Sequence, residues 1–362
     1  MSECDLLLVA GARPNFVKLA PLYHALTGRP HIRLACVHTG QHYDDAMSGA
    51  FFRELGIPDP KVNLEVGAGS HAQQTGTIMI RFEPILRQFS PRWVVVFGDV
   101  NSTIACALVA AKVGVRVAHV EAGLRSHDWT MPEEINRVLT DRLSDRLYAP
   151  SRDACENLAR EGIPSDRVRF VGNIMVDTLL EQLPRIDRDA KLVQFGLKPQ
   201  GFILVTLHRP SNVDDPTRLA QICTALRMAA EREPVLFPAH PRTERCLREL
   251  GEGQLGAARV IPPLAYQSFL ALMSLARVVV TDSGGVQEET TALGVPCLTL
   301  RPNTERPVTL MEGTNQLVEP GPTSFLRALE ASNGRRYRVP ELWDGKAAQR
   351  IAADLHDVLG NT

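Results

Sequence analysis

Residues 278–289 read V-V-V-T-D-S-G-G-V-Q-E-E, and they pass from a short apolar run through two glycines into a polar segment. The apolar run predicts a buried strand, and the residues after the glycines predict a helix. Glycines at such a junction expose backbone N–H groups beside the positive end of the helix, an arrangement suited to a diphosphate. The carboxylate of Glu289, one turn into the helix, is placed to accept hydrogen bonds from ribose hydroxyls.

Short apolar runs alternate with longer amphipathic segments on both sides of this junction, which predicts βα units and parallel sheets. Ten strands are predicted in all, five in each half of the chain: residues 5–10, 34–39, 93–98, 115–120 and 146–149, then 202–207, 234–238, 258–261, 278–281 and 296–300. This count predicts an α/β protein with two doubly wound parallel-sheet domains.

A chain of 362 residues is too long for one typical core and suits two domains. We place the boundary after Gly172, so that residues 1–172 form the first domain and residues 173–342 the second. Residues 178–198 are expected to form connecting helices. A last helix near residues 343–359 is expected to pack back on the first domain.

Composition excludes several classes of protein. The chain has 40 Lys and Arg against 41 Asp and Glu, a net charge of −1, which argues against nucleic acid as a partner. No apolar run approaches the roughly 18 residues of a membrane span. The acidic N-terminus lacks the basic start of a signal peptide. Seven cysteines without C-x-x-C spacing are expected to be reduced core residues of a cytoplasmic protein and to form no zinc site.

Polar residues follow the predicted strands of the first half. Arg13 and Lys18 come after the first strand, around the start of a helix, where two cations suit phosphate; solvated side chains are the alternative. Asp99 and Glu121 each follow a later strand. Asp99 is also explained as a helix cap, whereas a buried Glu121 needs either a basic partner or a chemical role.

The segment 130–137, T-M-P-E-E-I-N-R, has two structural interpretations. Thr130 and Glu133 fit a capping box, and Glu133 and Arg137 fit an i,i+4 ion pair. Taken together, however, Asp99, Glu121 and Glu133 place three carboxylates at strand ends or helix starts of one domain. Carboxylates in such surroundings can transfer protons.

The second half adds basic residues at strand ends. Arg301 and Arg306 follow the strand at 296–300, while His208 and His240 follow two successive earlier strands. Without cysteines or suitably spaced carboxylates, the two histidines do not indicate a metal site. The segment G-A-G-S-H-A at 67–72 fits a dinucleotide fingerprint only superficially, because the expected acidic residue does not follow about 20 positions later.

These motifs together resemble the non-hydrolysing UDP-N-acetylglucosamine 2-epimerases of bacteria. The matching stretches run in order from about residue 10 to residue 318 and are G-A-R-P at 11–14 with Lys18, G-D at 98–99, H-V-E-A-G-L-R at 119–125, P-E-E with N-R at 132–137, T-L-H-R at 206–209, T-D-S-G-G with Q-E-E at 281–289, and E-R-P at 305–307.

The resemblance implies a GT-B fold, in which two Rossmann-like domains enclose an interdomain cleft. It implies an isomerase that interconverts UDP-N-acetylglucosamine and UDP-N-acetylmannosamine with no cofactor and no metal, acting as a homodimer. UDP would be held by Arg13, His208, Ser283, Gly284, Gly285 and Glu289. The sugar would be surrounded by Lys18, Asp99, Glu121, Glu133, Arg137 and Arg306, with Asp99, Glu121, Glu133 and His208 as the catalytic set.

The chemistry explains the need for such residues. The C2 hydrogen of the sugar is not adjacent to a carbonyl, so the C1–O bond must break first, and UDP must be a stabilised leaving group. A carboxylate then removes the C2 proton to give a 2-acetamidoglucal. The proton returns on the opposite face and UDP adds back, which requires at least two acid/base groups.

The resemblance also implies a second site, since many bacterial members of this family are activated by the substrate at a regulatory site beside the active site. Its expected counterparts here are Gln41, His42, Gln74 and His240. Asp44 and Gln73 stand where the family pattern has a glutamine and a basic residue, so this chain matches the regulatory pattern only in part.

Four other functions remain open from the sequence. Sister enzymes epimerise UDP-2,3-diacetamido sugar uronates and begin with a similar G-A-R-P, and a hydrolysing branch releases the free sugar. A GT-B glycosyltransferase would share the S-G-G loop and the ribose glutamate but would not need all three carboxylates. A non-catalytic nucleotide-sugar sensor could lose the carboxylates that this chain retains.

Overall fold

The computed structural model describes residues 4–29, 31–41, 52, 54–251, 253–332, 334 and 337–360, without the side chain of Arg13. The chain divides into two compact units. Unit 1 comprises Met1–Thr178 and Glu341–Thr362, and unit 2 comprises Leu179–Pro340. The sequence analysis places the corresponding boundaries at residues 172 and 342.

Unit 1 contains a parallel sheet of seven strands in the order β3-β2-β1-β4-β5-β6-β7. All five strands predicted for this half are confirmed. The strands are β1 (Leu6–Ala10), β2 (Leu34–His38), β3 (Val62–Asn63), β4 (Trp93–Phe97), β5 (Arg116–Val120), β6 (Arg146–Ala149) and β7 (Val168–Phe170). The sequence analysis missed the edge strands β3 and β7, because two or three residues are too short a run to show strand periodicity.

Unit 2 contains a parallel sheet of six strands in the order β10-β9-β8-β11-β12-β13. Its strands are β8 (Ile203–Thr206), β9 (Val235–Pro238), β10 (Arg259–Ile261), β11 (Val278–Thr281), β12 (Cys297–Thr299) and β13 (Asn315–Leu317). The first five are confirmed predictions. The last was missed because Asn-Gln-Leu carries no apolar run.

Helices follow the strands and cover both sheets. Those of unit 1 before its final segment are α1 (Arg13–Thr27), α2 (His71–Phe89), α3 (Asn101–Lys112), α4 (Pro132–Leu143) and α5 (Arg152–Arg160), with a 3₁₀ turn at Ser165–Arg167. The connecting segment forms α6 (Ile174–Gln182), a 3₁₀ turn at Leu183–Arg185 and α7 (Arg188–Phe195).

Unit 2 continues with shorter helices. They are α8 (Pro210–Val213), α9 (Pro216–Ala230), α10 (Pro241–Glu249), α11 (Tyr266–Leu275), α12 (Gly284–Leu293), α13 (Pro307–Met311) and α14 (Pro322–Ala331). The chain then returns to unit 1 as α15 (Ala347–Gly360), which packs against α1. The last helix therefore packs on the first domain, as predicted, but begins four residues later than expected.

The order of the strands fixes where ligands can bind. In each sheet the order reverses beside the first strand of the unit, between β1 and β4 in unit 1 and between β8 and β11 in unit 2. Helices on both faces require buried strands, and all residues of β1, β4 and β11 are buried. Ligands of such sheets bind at the carboxyl ends of the strands beside this reversal.

Two sequence-based exclusions can be compared with the described residues. All seven cysteines are free. Within the described ranges, no helix is both long enough and apolar enough to cross a membrane.

Candidate functional site

Asn15 organises the first loop of unit 1. Its Oδ1 accepts hydrogen bonds from the backbone N–H groups of Gly11 and Ala12, both at 3.2 Å, and its Nδ2 donates to the carbonyl oxygen of Phe97 at 2.9 Å. The loop after β1 is thereby tied to the end of β4. Asn15 carried no role in the sequence analysis, because its partner Phe97 is remote in sequence. The side chain of Arg13 lies outside the described residues.

Lys18 and Glu121 form a buried ion pair, with side chains 7% and 6% exposed. Lys18 is therefore the basic partner that a buried Glu121 requires. A Cβ at Gly98 would lie 2.9 Å from Lys18 Nζ and 3.1 Å from Glu121 Oε2, so any larger residue would force the pair to shift. Glu121 itself has φ +75°, a left-handed conformation that costs a non-glycine residue energy and that is common at functional sites.

Asp99 is held by α4. The buried guanidinium of Arg137 pairs with Asp99 and also with Glu134. Asn136 Nδ2 donates to the backbone carbonyl of Asp99 at 2.9 Å. The carboxylate of Asp99 is thus oriented by Arg137 and its backbone by Asn136, the residue before it on α4.

Three structural interpretations of these segments were wrong. Helix α3 is capped by Val100, so Asp99 is not its N-cap. Helix α4 begins at Pro132, and Thr130 Oγ1 donates to Asp128 at 2.6 Å, so Thr130 and Glu133 form no capping box. Arg137 pairs with Glu134 rather than with Glu133 as expected from i,i+4 spacing, because Glu134 is the buried member of the two.

Glu134 also holds the loop in front of α4. Its carboxylate accepts hydrogen bonds at 2.9 Å from the backbone N–H groups of Ser126 and His127 and from the hydroxyl of Ser126. Burial alone would raise the pKa of Glu134, but the hydrogen bonds from Ser126 and the charge of Arg137 lower it. This residue was quoted in the motif but received no role.

Two members of the predicted regulatory set lie together in unit 1. Gln41 Oε1 accepts hydrogen bonds from the backbone N–H and the hydroxyl of Ser102, at 3.0 and 2.7 Å. Gln74 Nε2 donates to the carbonyl of Gln41 at 3.4 Å, and Gln74 Oε1 accepts from Asn101 at 2.9 Å. His42 and Asp44 lie outside the described residues.

Gln73 and His240 both serve as helix-capping groups. Gln73 accepts a hydrogen bond from the backbone N–H of Ser70, the N-cap residue of α2, at 3.0 Å. In unit 2, His240 is the N-cap residue of α10, and its Nδ1 accepts a hydrogen bond from the backbone N–H of Arg242 at 3.3 Å. Burial lowers the pKa of His240, and the charges of His208 and Arg242 add to this effect.

In unit 2 the S-G-G segment forms the N-terminus of α12, with Ser283 as the N-cap residue. Arg306 lies directly against this end of the helix, since a Cβ at Gly284 would be 2.4 Å from Arg306 Nη1. A guanidinium and the exposed N–H groups of a helix start together suit the oxygens of a phosphate.

Two buried glutamates orient the arginines. Glu305 pairs with Arg306 and also accepts from Arg301 Nη2 at 2.8 Å, while Glu288 Oε1 lies 2.9 Å from Arg306 Nε. Burial lowers the pKa of Arg301. Glu288 and Glu305 had no individual roles among the predicted site residues, although a pair of arginines beside buried positions requires counter-charges.

Asp282 orients the loop that carries His208. This buried carboxylate accepts hydrogen bonds from the backbone N–H of Arg209 and from Asn212 Nδ2, both at 3.0 Å, and His208 Nδ1 lies 3.0 Å from its Oδ1. Burial alone would raise the pKa of Asp282, but its bonds with His208 and its other donors lower it. His208 keeps about half of its side chain exposed, which leaves the other face of the ring free to meet a ligand.

Glu289 is deeply buried in α12. The hydroxyl of Tyr266 donates to Glu289 Oε1 at 2.9 Å. Burial raises the pKa of Glu289 to about 7, opposed by that hydrogen bond. The carboxyl group is therefore poised between its neutral and charged forms near neutral pH. No cluster of potential metal ligands occurs among the residues that the structure describes.

Comparisons with known proteins show the family to which the chain belongs. The family model described as UDP-N-acetylglucosamine 2-epimerase matches residues 24–356. The chain is 42% identical over 360 residues to the UDP-N-acetylglucosamine 2-epimerase of Methanocaldococcus jannaschii, covering 97% of this chain and 98% of that protein. It is 40% identical to the UDP-2,3-diacetamido-2,3-dideoxy-D-glucuronate 2-epimerase of Pseudomonas aeruginosa, over 97% and 99% of the two chains.

A solved structure shares the fold over nearly the whole chain. The crystal structure of the Methanocaldococcus jannaschii UDP-GlcNAc 2-epimerase in complex with UDP-GlcNAc and UDP superimposes with a TM-score of 0.89 at 40% identity, covering 98% of this chain and 99% of that one. The fold class is therefore the predicted one, two parallel-sheet α/β domains of the GT-B type. With the matched family model and these relatives, the chain belongs to the UDP-N-acetylglucosamine 2-epimerase family.

Proposed function

We propose that this protein interconverts UDP-N-acetylglucosamine and UDP-N-acetylmannosamine by epimerisation at C2. The observation that carries the proposal is the pair of carboxylates beside Gly98. Glu121 lies against Gly98 in a buried pair with Lys18, and Asp99 follows Gly98 in the chain and is held by Arg137. Two carboxylates, each held in position by a cation, can act as the general base that removes a proton and the general acid that returns it.

The first step asks for a stabilised leaving group. Arg306 at the N-terminus of α12 and the N–H groups of Ser283, Gly284 and Gly285 would bind the diphosphate of UDP and stabilise the charge that develops as the C1–O bond breaks. We propose that Glu289 accepts hydrogen bonds from the ribose hydroxyls. His208, which Asp282 orients, would contact the nucleotide. Arg13 would provide a further contact with the phosphates.

The second step moves the proton at C2. Once UDP has left, the C2 proton of the oxocarbenium-like sugar is acidic, and one carboxylate removes it to give the 2-acetamidoglucal. A second acid returns the proton on the opposite face, and UDP adds back to C1. Asp99 and Glu121 are the principal pair. Glu133, half-buried in the first turn of α4, is the third candidate.

The experiment is proton NMR of UDP-N-acetylglucosamine with the purified protein in D₂O and no added cofactor. We expect the C2 proton signal to disappear while UDP-N-acetylmannosamine appears. The Asp99→Asn variant should lower the exchange rate by at least about 10², the usual contribution of a general acid or base. The Asp145→Asn variant is the control, because Asp145 accepts from the N–H of Val117 near the opposite end of β5.

Other outcomes would redirect the assignment. Lasting release of free sugar and UDP would place the protein in the hydrolysing branch. No exchange at C2 with UDP-N-acetylglucosamine would contradict the proposal and indicate either another UDP-sugar substrate, with the diacetamido uronate next to test, or a transferase that requires an acceptor.

A second candidate substrate is a UDP-2,3-diacetamido sugar uronate. The 40% identity to the Pseudomonas aeruginosa enzyme over nearly the full length of both chains supports this alternative. A direct comparison of kcat/KM for the two UDP-sugars in the same exchange assay distinguishes the substrates.

The family resemblance also bears on regulation and assembly. We propose that Gln41, His42, Gln74 and His240 give at most weak activation by substrate, since Gln73 and His240 are engaged in helix capping. Progress curves with no lag at low substrate are expected.

We further propose a cytoplasmic homodimer. The mass from light scattering tests for the dimer, and cell fractionation tests the location.

A further inference from the structure

A buried set of hydrogen bonds lies beneath the loops that carry Asp99 and Glu121. Its centre is His119 on β5, whose side chain has no exposed surface. His119 Nδ1 lies 2.7 Å from Asp141 Oδ1, and His119 Nε2 lies 2.8 Å from the carbonyl oxygen of Gly98. His119 therefore connects α4, which carries Asp141, with the residue that directly precedes Asp99.

Both partners of this ring are acceptors. A backbone carbonyl has no hydrogen to donate. The second oxygen of Asp141 accepts from the backbone N–H of Gly123 at 3.1 Å and lies 2.8 Å from Arg125 Nη1, so with the His119 ring this carboxylate has three donor groups around it, one of them a guanidinium. A neutral imidazole would leave one buried contact without a hydrogen. Only a ring that carries a proton on each nitrogen satisfies both contacts, with the carboxylate balancing its charge.

The carbonyl oxygen of Gly98, which His119 contacts, belongs to the residue that adjoins both candidate carboxylates. Gly98 has φ +62°, and its backbone N–H donates to the carbonyl of Val120 at 3.0 Å. Its Cα faces the Lys18–Glu121 pair, with no room for a side chain. Asp99 directly follows this peptide and Gly98 itself lies against the ion pair, so a shift of the 98–99 segment would affect both carboxylates.

We propose that His119 is a positioning residue, which as an imidazolium bound to Asp141 fixes the Gly98 carbonyl and through it the carboxylates of Asp99 and Glu121. The catalytic consequence rests on the proposed function, whereas the hydrogen-bonded state of the ring does not. A displacement of about 1 Å at a reacting group can lower a rate by about 10².

The hydrogen-bonded state is tested on the full-length protein by ¹⁵N–¹H NMR with labelled histidine at neutral pH, with the His119→Gln spectrum used for assignment. We expect two ring N–H protons for His119, both protected from exchange with solvent. In Asp141→Asn the amide can donate to Nδ1, so we expect one ring N–H only. A single ring N–H in the wild-type protein would overturn the proposal.

The positioning role is tested by kinetics of C2 exchange. We expect His119→Leu to lower kcat by about 10–10² while KM changes less than about threefold, because the proposed nucleotide contacts are on other residues. His119→Gln retains one donor for the Gly98 carbonyl and should recover part of the lost kcat.

The control is Tyr148→Phe on the neighbouring strand β6. It removes one partly buried hydrogen bond, from the Tyr148 hydroxyl to Asp354 at 3.0 Å, without touching Gly98. We expect a similar loss of stability with kcat unchanged. Wild-type kcat in His119→Leu, or an equal loss of kcat in Tyr148→Phe, would refute the positioning role.

The two proposals fail in different ways. Absence of C2 exchange in the wild-type protein contradicts the proposed function, and the NMR spectrum then decides the state of His119 alone. Normal C2 exchange with a neutral His119 ring contradicts only the inference.

Discussion

Several buried charges of this protein are paired, and some of the partners are remote in sequence. Lys18 and Glu121 pair within unit 1, and Arg306 pairs with Glu288 and Glu305 within unit 2. Each pair loses hydration on folding, so its members depend on each other more than on the surrounding apolar core. Their positions beside Gly98 and Gly284 place this dependence at the candidate site.

The Lys18–Glu121 pair can be examined by a double-mutant cycle. Glu121→Gln leaves the lysine buried without its counter-charge and should lower the free energy of unfolding by about 3–5 kcal/mol. Lys18→Met combined with Glu121→Gln should recover most of that loss without restoring C2 exchange. Urea unfolding gives the free energies. Additive single effects would show that the pair is not coupled.

Glu289 makes stability depend on pH. Its pKa in the folded protein is raised to about 7 by burial, above the ordinary value of 4.5. Between these values the folded state binds more protons than the unfolded chain, so stability is greatest below the window and falls as pH rises through it. The free energy of unfolding of Glu289→Gln should not show this decrease with pH, and above the window this variant should be more stable than the wild type.

The measurement for Glu289 is urea unfolding followed by far-UV circular dichroism, below and above this pH window. Tyr266→Phe removes the hydrogen bond that opposes the shift, so the pKa should rise further and the fall should extend to higher pH. Identical pH profiles in the wild type and in Glu289→Gln would show that Glu289 does not titrate in this range.

The junction between β11 and α12 shows how an element forms a binding site. The buried strand ends at Thr281, and the helix begins at Gly284 after two intervening residues. Because glycine has no Cβ, Arg306 can lie against the first turn of the helix. The guanidinium of Arg306 can therefore lie directly against the N-terminus of the helix because residue 284 is a glycine.

Gly284→Ala should weaken the binding of UDP by at least about tenfold, since one charge-assisted hydrogen bond contributes about 1.5–3 kcal/mol. The matched control is Gly76→Ala in α2, where a Cβ would meet nothing within 4 Å. That variant should leave UDP affinity unchanged and increase stability by about 0.5–1 kcal/mol. Calorimetric titration with UDP measures the affinity, and unchanged binding in Gly284→Ala would contradict this account.

The core of unit 1 includes α15, a helix that follows unit 2 in the chain. The apolar face of α15 contributes Ile351, Ala352 and Leu355, each fully buried. Asp177 of α6 fixes the start of this helix by accepting hydrogen bonds from the backbone N–H groups of Ala347 and Ala348. Unit 1 therefore cannot complete its core until the chain has passed through all of unit 2.

Leu355→Ala should destabilise unit 1 by about 2–5 kcal/mol. The three tryptophans of the sequence, Trp93, Trp129 and Trp343, all belong to unit 1, so fluorescence reports on its unfolding. Leu139→Ala is the control, because Leu139 on α4 is 48% exposed. Equal shifts of the fluorescence transition in both variants would mean that α15 contributes little to this core.

The pattern of apolar runs was sufficient to predict two parallel-sheet domains. Five-residue buried strands such as β1 and β4 stand out against amphipathic helices, because local periodicity reflects burial directly. The cost of burying a charge also predicted that Glu121 needs a basic partner. The candidate site residues were predicted for the same reason, since polar groups directly after buried strands are conspicuous.

The choice of partners was settled by packing in three dimensions. Lys18 lies 103 positions before Glu121, and His119 meets both Asp141 and the Gly98 carbonyl across separate elements. Arg137 had two adjacent glutamates in reach, and the start of α4 at Pro132 made Glu134 the buried one. Sequence spacing describes neighbours along one element, whereas these contacts depend on how strands and helices from distant parts of the chain are brought together.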